Sequence, residues 1–205
     1  MPIQTKCQIV GKEKLTQGIY KYSIKTKEIA ELAKPGNFLE IKVSDSLETF
    51  LRRPISIYNI DKENEVVEFI FQVKGKGTEI LAKREVGEKL DILGPLGNGT
   101  FSVKPYKKVA IIGGGIGTYP LYELAKNLKE NSIVNTYLGF RNKELVTLEK
   151  EFSEVSDKLV ITTDDGSYQE KGFAIDFLKA DCENEKVDCI FACRTTSNVK
   201  SSSSI

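Results

Sequence analysis

The sequence predicts an N-terminal antiparallel β-barrel followed by a C-terminal α/β domain with a doubly wound parallel sheet. Two observations predict this fold. The first half consists of short β-rich runs separated by turn residues, whereas in the second half apolar strands alternate with helical segments. Pro105 interrupts the chain between them. We therefore expect domains at residues 1–102 and 106–193, and a polar, Ser-rich, disordered tail at residues 194–205.

The strands expected in the first half favour β-branched and aromatic residues, and several alternate apolar with polar residues as half-buried strands do. They are residues 18–25, 37–43, 53–60 and 66–73. Turns are expected at residues 35–36, 61–64 and 94–99, and one short helix at residues 78–84. Short strands joined by such turns are typical of a small antiparallel barrel.

The second half opens with an apolar run at residues 109–112, directly followed by Gly113-Gly114-Gly115-Ile116-Gly117 and a helical stretch to about residue 129. Further strands are expected at residues 133–140, 158–163 and 187–193. Helical segments are expected at residues 143–152 and 173–178. Strands that alternate with helices predict a parallel sheet with helices on both faces.

The composition excludes several classes of function. The 205 residues contain no His, which excludes Ser-His-Asp triads, His general bases and His-containing metal sites. A formal charge of +1 gives no general attraction to nucleic acid or to an anionic membrane. No apolar run reaches the roughly 18 residues of a membrane span, and the N-terminus lacks the apolar segment of a signal peptide, so we expect a cytoplasmic protein.

The four cysteines do not predict a metal site. They are Cys7, Cys182, Cys189 and Cys193, and no pair has the C-x-x-C spacing. A zinc or iron–sulfur site would require Cys7 to join three cysteines from the other end of the chain. We therefore assign no residue to a metal.

The glycine cluster is suited to bind phosphate, because glycines let a pyrophosphate approach the backbone and the following helix presents free N–H groups. A tight turn without a ligand is the alternative. Asp164 and Asp165 follow the third strand of this half. A carboxylate near an adenosine ribose favours NAD over NADP, although these two residues also fit a solvated turn.

Two segments of the first half combine cations with small residues. Arg52-Arg53-Pro54-Ile55-Ser56 places two arginines next to a strand, and an arginine donates paired, permanently charged hydrogen bonds to phosphate. Lys74-Gly75-Lys76-Gly77-Thr78 opens the expected short helix. A basic edge strand and a hairpin turn are the alternatives.

These motifs, in this order and spacing, resemble those of ferredoxin–NADP reductase-like flavoproteins. The motifs are Arg53-Pro54-Ile55-Ser56, Lys74 to Thr78, Leu93-Gly94-Pro95-Leu96-Gly97-Asn98-Gly99 and Gly113 to Gly117. RRPISI together with LGPLGNG is most similar to the electron-transfer subunits of class B dihydroorotate dehydrogenases. The resemblance extends over residues 1–193 and includes Gly139-Phe140-Arg141 and Phe191-Ala192-Cys193.

The resemblance implies an FAD-binding barrel and an NAD-binding α/β domain. It assigns to FAD the residues Arg53, Pro54, Ile55, Ser56, Ile70, Phe71, Gln72, Lys74, Gly77 and Thr78. It assigns to NADH the glycines Gly113, Gly114, Gly115 and Gly117, and we add Asp164 and Asp165. Arg53 would hold the FAD diphosphate, Ser56 would lie near the flavin N5 edge, and Cys193 would border the nicotinamide. A buried strand cysteine is the alternative for Cys193.

In the family, electrons pass from NADH through FAD and a [2Fe-2S] cluster to an FMN-containing catalytic subunit that interconverts dihydroorotate and orotate in pyrimidine biosynthesis. The resemblance thus implies a heterotetramer with that subunit. After Cys193 the family has Gly-Pro, a helix and the cluster cysteines, whereas this chain continues with Arg194-Thr195-Thr196 and has no such cysteines. We therefore carry cluster binding onto no residue, and expect a truncation or a shift of reading frame near residue 194.

Two alternatives remain open from the sequence. One is another NAD(P)H reductase of the same superfamily, acting on ferredoxin, polysulfide or free flavin. The other is a truncated product without electron-transfer activity.

Overall fold

The N-terminal half is a closed six-stranded antiparallel barrel. A computed structural model describes residues 1–98, 101 and 104–194. The strands are β1 (Ile3–Thr16), β2 (Ile19–Lys25), β3 (Phe38–Lys42), β4 (Arg53–Asp61), β5 (Val66–Gln72) and β6 (Lys89–Leu96). They close in the order β1-β2-β5-β4-β3-β6. The predicted barrel is confirmed.

The barrel core follows the alternation seen in the sequence. Along β3, Leu39 and Ile41 are buried, whereas Glu40 between them is half-buried. Two short helices cover the barrel: α1 (Lys27–Leu32) and α2 (Lys76–Ala82). Helix α1 was not predicted, and α2 begins and ends two residues before the helix predicted at residues 78–84. The hydroxyl of Tyr22, buried inside, donates to the backbone oxygens of Leu81 at 2.7 Å and Arg84 at 2.8 Å, which ties the end of α2 to the core.

Two strands of the barrel differ from the sequence prediction. The 14-residue β1 was not predicted, because most of its side chains are polar or exposed. It forms because both of its edges are paired, with β2 and with β6. Strand β6 was not predicted either, and the turn predicted at residues 94–99 is wrong over residues 94–96, which belong to β6. Gly94 lies there against Leu39, since a Cβ at position 94 would be 2.7 Å from Leu39 Cδ2.

The second half contains a five-stranded sheet in which all neighbouring strands are parallel. Its strands are β7 (Lys108–Gly114), β8 (Ile133–Phe140), β9 (Lys158–Thr163), β10 (Glu170–Lys171) and β11 (Cys189–Arg194), in the order β10-β9-β8-β7-β11. The helices are α3 (Leu121–Lys129), α4 (Glu149–Glu154) and α5 (Ala174–Asn184). Helices α3 and α4 share one hydrophobic cluster with the sheet, and α5 forms a second, separate cluster with it. The predicted doubly wound parallel sheet is confirmed.

The helix predicted over residues 143–152 is divided in two. A 3-10 turn at Lys143–Leu145 is separated from α4 by three residues, and the last of these, Leu148, has a φ of 61°. This left-handed conformation cannot continue an α-helix. Helix α5 extends past the predicted residue 178 to residue 184. Among the described residues, no helix has the length and apolar character that crossing a membrane requires.

Part of the predicted organisation concerns residues that the structure does not describe. Gly99, the domain boundary at residue 102 and the tail beyond residue 194 lie outside the described residues. The barrel strands end at residue 96 and the sheet begins at residue 108.

The two halves contact each other where α3 packs against β4. Glu123 of α3 is buried, and its Oε2 accepts a hydrogen bond from the backbone N of Ile60 at 3.0 Å and forms an ion pair with Lys126 Nζ at 2.9 Å. Lys126 Nζ also donates to Asn59 Oδ1 at 2.6 Å. The rings of Tyr58 and Tyr122 stack beside this pair with centroids 4.7 Å apart. This interface fixes the sheet relative to the barrel.

Replacing Glu123 with Ala is expected to lower the free energy of unfolding by about 1–3 kcal/mol, because the buried N–H of Ile60 loses its acceptor. Urea denaturation followed by circular dichroism measures the loss. Glu130→Ala is the matched control, since Glu130 is exposed at the end of the same helix, and it should change stability by less than about 0.5 kcal/mol. An equal loss in both variants would show that the interface contact contributes nothing.

Candidate functional site

Two adjoining cavities lie between the barrel and the parallel sheet. The smaller, of about 220 Å³, is lined mainly by β4 and β5, and the larger, of about 520 Å³, lies at the carboxyl ends of β7, β8 and β11. They share three lining residues, Gln72, Ile116 and Tyr119. The larger cavity is where open α/β sheets bind ligands, beyond the carboxyl ends of their strands.

The smaller cavity brings together most of the residues that the resemblance assigned to FAD. Because β4 and β5 are antiparallel neighbours, the first residues of one lie beside the last residues of the other. The lining residues from that assignment are Arg53, Pro54, Ile55, Ser56, Ile70, Phe71, Gln72 and Thr78. Lys74 lines the larger cavity instead, and Gly77 lies buried beside Arg53.

The two consecutive arginines have different environments. Arg52 donates from Nη2 to Asp91 Oδ1 at 2.8 Å and from Nη1 to the Asp91 backbone oxygen at 2.9 Å. Arg53 pairs with no carboxylate within the described part of the chain, and its Nη1 donates only to the backbone oxygens of Leu51 and Arg52. Arg53 therefore keeps its charge available to a ligand, whereas Arg52 stabilises the barrel.

Gly77 makes room for the Arg53 side chain. A Cβ at position 77 would lie 2.3 Å from Arg53 Nε and 2.8 Å from its Cζ, closer than any real contact. The guanidinium therefore packs directly on the backbone of α2. Any side chain at position 77 would displace it.

Thr78 organises the loop that leads into α2. Its Oγ1 accepts hydrogen bonds from the backbone N of Lys74 at 2.9 Å and of Gly75 at 3.2 Å, and donates to the Gly75 oxygen at 2.8 Å. The hydroxyl proton of Thr78 is thus used within the loop. The contribution of Thr78 to a ligand site is to shape the loop.

The glycine cluster forms one wall of the larger cavity. Gly113, Gly114 and Gly115 line it, whereas Gly117 is buried behind the wall. A Cβ at Gly113 would be 2.9 Å from Thr118 Cγ2. The glycine therefore permits Thr118, in the turn after β7, to pack directly against the strand backbone. Gly115 has a φ of 54° and nothing within 4 Å of the position of a Cβ. Its backbone therefore faces open space that a diphosphate can fill.

Charged residues line the outer part of the larger cavity. Asp164 and Arg141 are both exposed and both line it. Asp165 does not line the cavity, and its Oδ1 accepts the backbone N–H of Ser167 at 2.9 Å. The hydrogen bonds from Ser167 lower the pKa of Asp165. Only Asp164 of the two predicted carboxylates is thus in a position to contact a nucleotide.

Cys193 ends the cavity wall on the side of β11. It is half-buried, and desolvation by burial raises the pKa of its thiol. The side chain therefore remains a neutral thiol at physiological pH. Within the described residues, no group of three or more His, Cys, Asp and Glu side chains is arranged to hold a metal ion.

Sequence reasoning missed several residues that line these cavities. Tyr119 and Pro120 line the smaller cavity although neither was singled out, and Leu145 and Phe173 line the larger one. The signal for the first pair was their position directly after the glycine cluster. Leu145 follows Gly139-Phe140-Arg141 by four residues and Phe173 follows Asp165 by eight, but neither belongs to a motif and neither gave such a signal.

The comparison with known proteins agrees with this geometry. Residues 6–101 match the family of oxidoreductase FAD-binding domains. The chain is 36% identical over 193 residues to the electron transfer subunit of dihydroorotate dehydrogenase B (NAD(+)) of Lysinibacillus sphaericus, covering 93% of this chain and 74% of the relative. It is 37% identical over 206 residues to that subunit of Enterococcus faecalis, covering 98% and 78%.

The chain belongs to the family of dihydroorotate dehydrogenase B electron transfer subunits. It is an FAD-dependent oxidoreductase of the electron-transfer type. Among solved structures, a chain of NADH-dependent reduced ferredoxin-NADP oxidoreductase superposes with a TM-score of 0.83 at 31% identity, covering 93% of this chain and 68% of that one. The cytochrome b5 reductase domain of Ulva prolifera nitrate reductase has a TM-score of 0.72 at 17% identity, covering 95% and 88%, and shares the fold.

The raised pKa of Cys193 predicts slow alkylation at neutral pH. Since burial favours the neutral thiol, the thiolate fraction at pH 7.5 is smaller than that of an ordinary cysteine, and it reaches one half only above the ordinary pKa of 9.0. We expect the iodoacetamide reaction of Cys193, followed by peptide mass spectrometry, to keep accelerating above pH 9. The urea-unfolded protein is the control. A rate that levels off below pH 9 in the folded protein would show that burial does not raise the pKa of Cys193.

Proposed function

We propose that the chain binds FAD in the smaller cavity and NADH in the larger one, and passes electrons from NADH to a dihydroorotate dehydrogenase catalytic subunit. The observation that carries the proposal is the wall shared by the two cavities. An unpaired arginine lies on one side of it and a glycine cluster with open space lies on the other. Two cofactors that exchange a hydride need such adjacent sites.

The smaller cavity fits FAD in the chemistry of its donors. The unpaired guanidinium of Arg53 would donate charge-assisted hydrogen bonds to the diphosphate. Ser56 is half-buried and lies three residues farther along β4, so its hydroxyl would donate near the flavin N5 edge. Ile70 and Phe71, both buried, would exclude water from the ring system. Bound FAD supplies the exchange between a two-electron hydride donor and one-electron acceptors.

The larger cavity fits a dinucleotide. The backbone of Gly113, Gly114 and Gly115 would receive the pyrophosphate, since no side chain blocks its approach. Lys74 lines the same cavity and adds a positive charge from the barrel side. The neutral thiol of Cys193 would border the nicotinamide without placing a negative charge beside it. Ser56 and Cys193 are the residues that we propose at the reacting rings.

The partner is proposed from the relatives, which are named as electron transfer subunits of dihydroorotate dehydrogenase B. We propose that this chain docks on an FMN-containing catalytic subunit in a heterotetramer. No residue of the described chain is assigned to a [2Fe-2S] cluster. A second candidate function is reduction of a ferredoxin-class acceptor, which the superposition on NADH-dependent reduced ferredoxin-NADP oxidoreductase favours. Co-purification with an orotate-reducing subunit would separate the two.

The assignment of Arg53 predicts a contrast between two neighbouring substitutions. Arg53→Ala should weaken FAD binding by about 1.5–3 kcal/mol, because a charge-assisted contact to the diphosphate is lost. Arg52→Ala should retain FAD affinity but lower the thermal stability of the apoprotein, because the bonds to Asp91 are lost. Fluorescence titration with FAD and thermal melts of the apoprotein measure both effects. If Arg52→Ala weakened FAD binding and Arg53→Ala did not, the ligand-binding role would belong to Arg52 and not to Arg53.

Anaerobic titration of the FAD-loaded protein tests the proposed function. NADH should bleach the flavin absorbance at lower concentration than NADPH, because Asp164 repels a 2′-phosphate. Asp164 is exposed, so its neutralisation in Asp164→Asn should narrow the preference by only about 0.3–1 kcal/mol. Asp165→Asn is the matched control and should leave it unchanged. A flavin that neither nucleotide reduces would contradict the proposal.

A further inference from the structure

Tyr119 lies in the wall between the two cavities. It directly follows the 3-10 turn Gly115–Thr118 and lines both cavities. Only 3% of its surface is exposed, so nearly all of the ring is enclosed by other residues. Because Tyr119 lines both cavities, its side chain limits the volume of each of them.

The ring is held in place mainly by packing. Tyr119 belongs to a hydrophobic cluster that spans both halves of the molecule and includes Ile19 and Ile70 of the barrel. Its hydroxyl lies 3.4 Å from the Oγ1 of Thr147, which is longer than an ordinary O–H···O hydrogen bond. Burial raises the pKa of Tyr119, so the phenol is neutral. Thr147 lies in the break between the 3-10 turn and α4, where a continuous helix was expected.

The other two shared residues are less suited to form a wall. Gln72 and Ile116 are only half-buried. A tyrosine has two χ angles and a flat ring, so burying it fixes its shape at little entropic cost. Of the three shared residues, Tyr119 is thus the most deeply buried.

We propose that Tyr119 is a positioning residue, whose ring is the partition that determines where the nicotinamide of the dinucleotide meets the flavin. The inference rests on the proposed function, since it requires FAD on one side and NADH on the other. Hydride donor and acceptor must approach within about 3–3.5 Å, and a displacement of about 1 Å can cost a hundredfold in rate. A fixed ring limits the approach of the nicotinamide to one direction.

The test compares two tyrosines that are buried alike. Tyr58 is also 3% exposed and belongs to the same hydrophobic cluster, but it lines neither cavity. Tyr119→Leu and Tyr58→Leu should therefore lose similar stability in thermal melts. In Tyr119→Leu, the NAD⁺ dissociation constant of the FAD-loaded protein should rise by about tenfold, or 1.4 kcal/mol. The change in the visible spectrum of the flavin on adding NAD⁺ should differ from that of the parent. Tyr58→Leu should keep both parental values, because the contacts of Glu123 with Ile60 and Lys126 still hold α3 against β4.

Tyr119→Phe isolates the ring from its hydroxyl. Because the contact to Thr147 is long, this variant should keep the parental NAD⁺ affinity and spectral change, which makes the ring the acting group. Parental values in Tyr119→Leu, or equal changes in Tyr58→Leu, would overturn the inference while leaving the proposed function intact. A parent whose flavin spectrum does not respond to NAD⁺ would contradict the proposed function itself.

Discussion

The packing of α3 against β4 is the constraint on which both cavities depend. The buried carboxylate of Glu123 accepts the N–H of Ile60 and forms an ion pair with the ammonium of Lys126, so α3 and β4 cannot slide without leaving polar groups unpaired. Helix α3 follows the glycine cluster, and β4 begins at Arg53. One interface therefore sets the distance between the two candidate binding sites, although it contains none of their lining residues.

Periodicity in the sequence predicted most of the fold, because most strands either alternate in polarity or are continuously apolar. Strands β8 and β9 have the predicted bounds because both are rich in β-branched and apolar residues, although each also buries polar residues such as Thr136 and Thr162. Strand β1 escaped prediction because its pairing partners, and not its side chains, decide its conformation. The break before α4 escaped because Leu148 gives no sequence signal for a left-handed conformation. The local sequence pattern predicts a secondary-structure element well where the burial of its own side chains determines its conformation. It predicts poorly where pairing with distant strands determines that conformation.

The candidate site was predictable as a set of motifs, but the function of each residue within a motif was not. Nothing in the dipeptide Arg52-Arg53 shows which arginine is unpaired, since the partner Asp91 lies 39 residues away. In the same way, the turn to Ser167 separates the roles of Asp164 and Asp165. The position of Tyr119 between the two cavities follows only from the packing of the sheet against the barrel. Such distinctions arise from contacts between distant segments.

The close packing of the Arg53 side chain on Gly77 has a consequence for engineering. Glycine within a helix is less favourable than alanine by about 1 kcal/mol, so Gly77 in α2 is an obvious target for stabilisation. Yet a methyl group at this position would occupy the place of the guanidinium. A stabilising substitution at position 77 would therefore displace the side chain that we propose as the ligand of the FAD diphosphate. A variant library selected only for heat resistance would tend to accept alanine at position 77, and the proposed role of Arg53 implies that such variants lose FAD affinity.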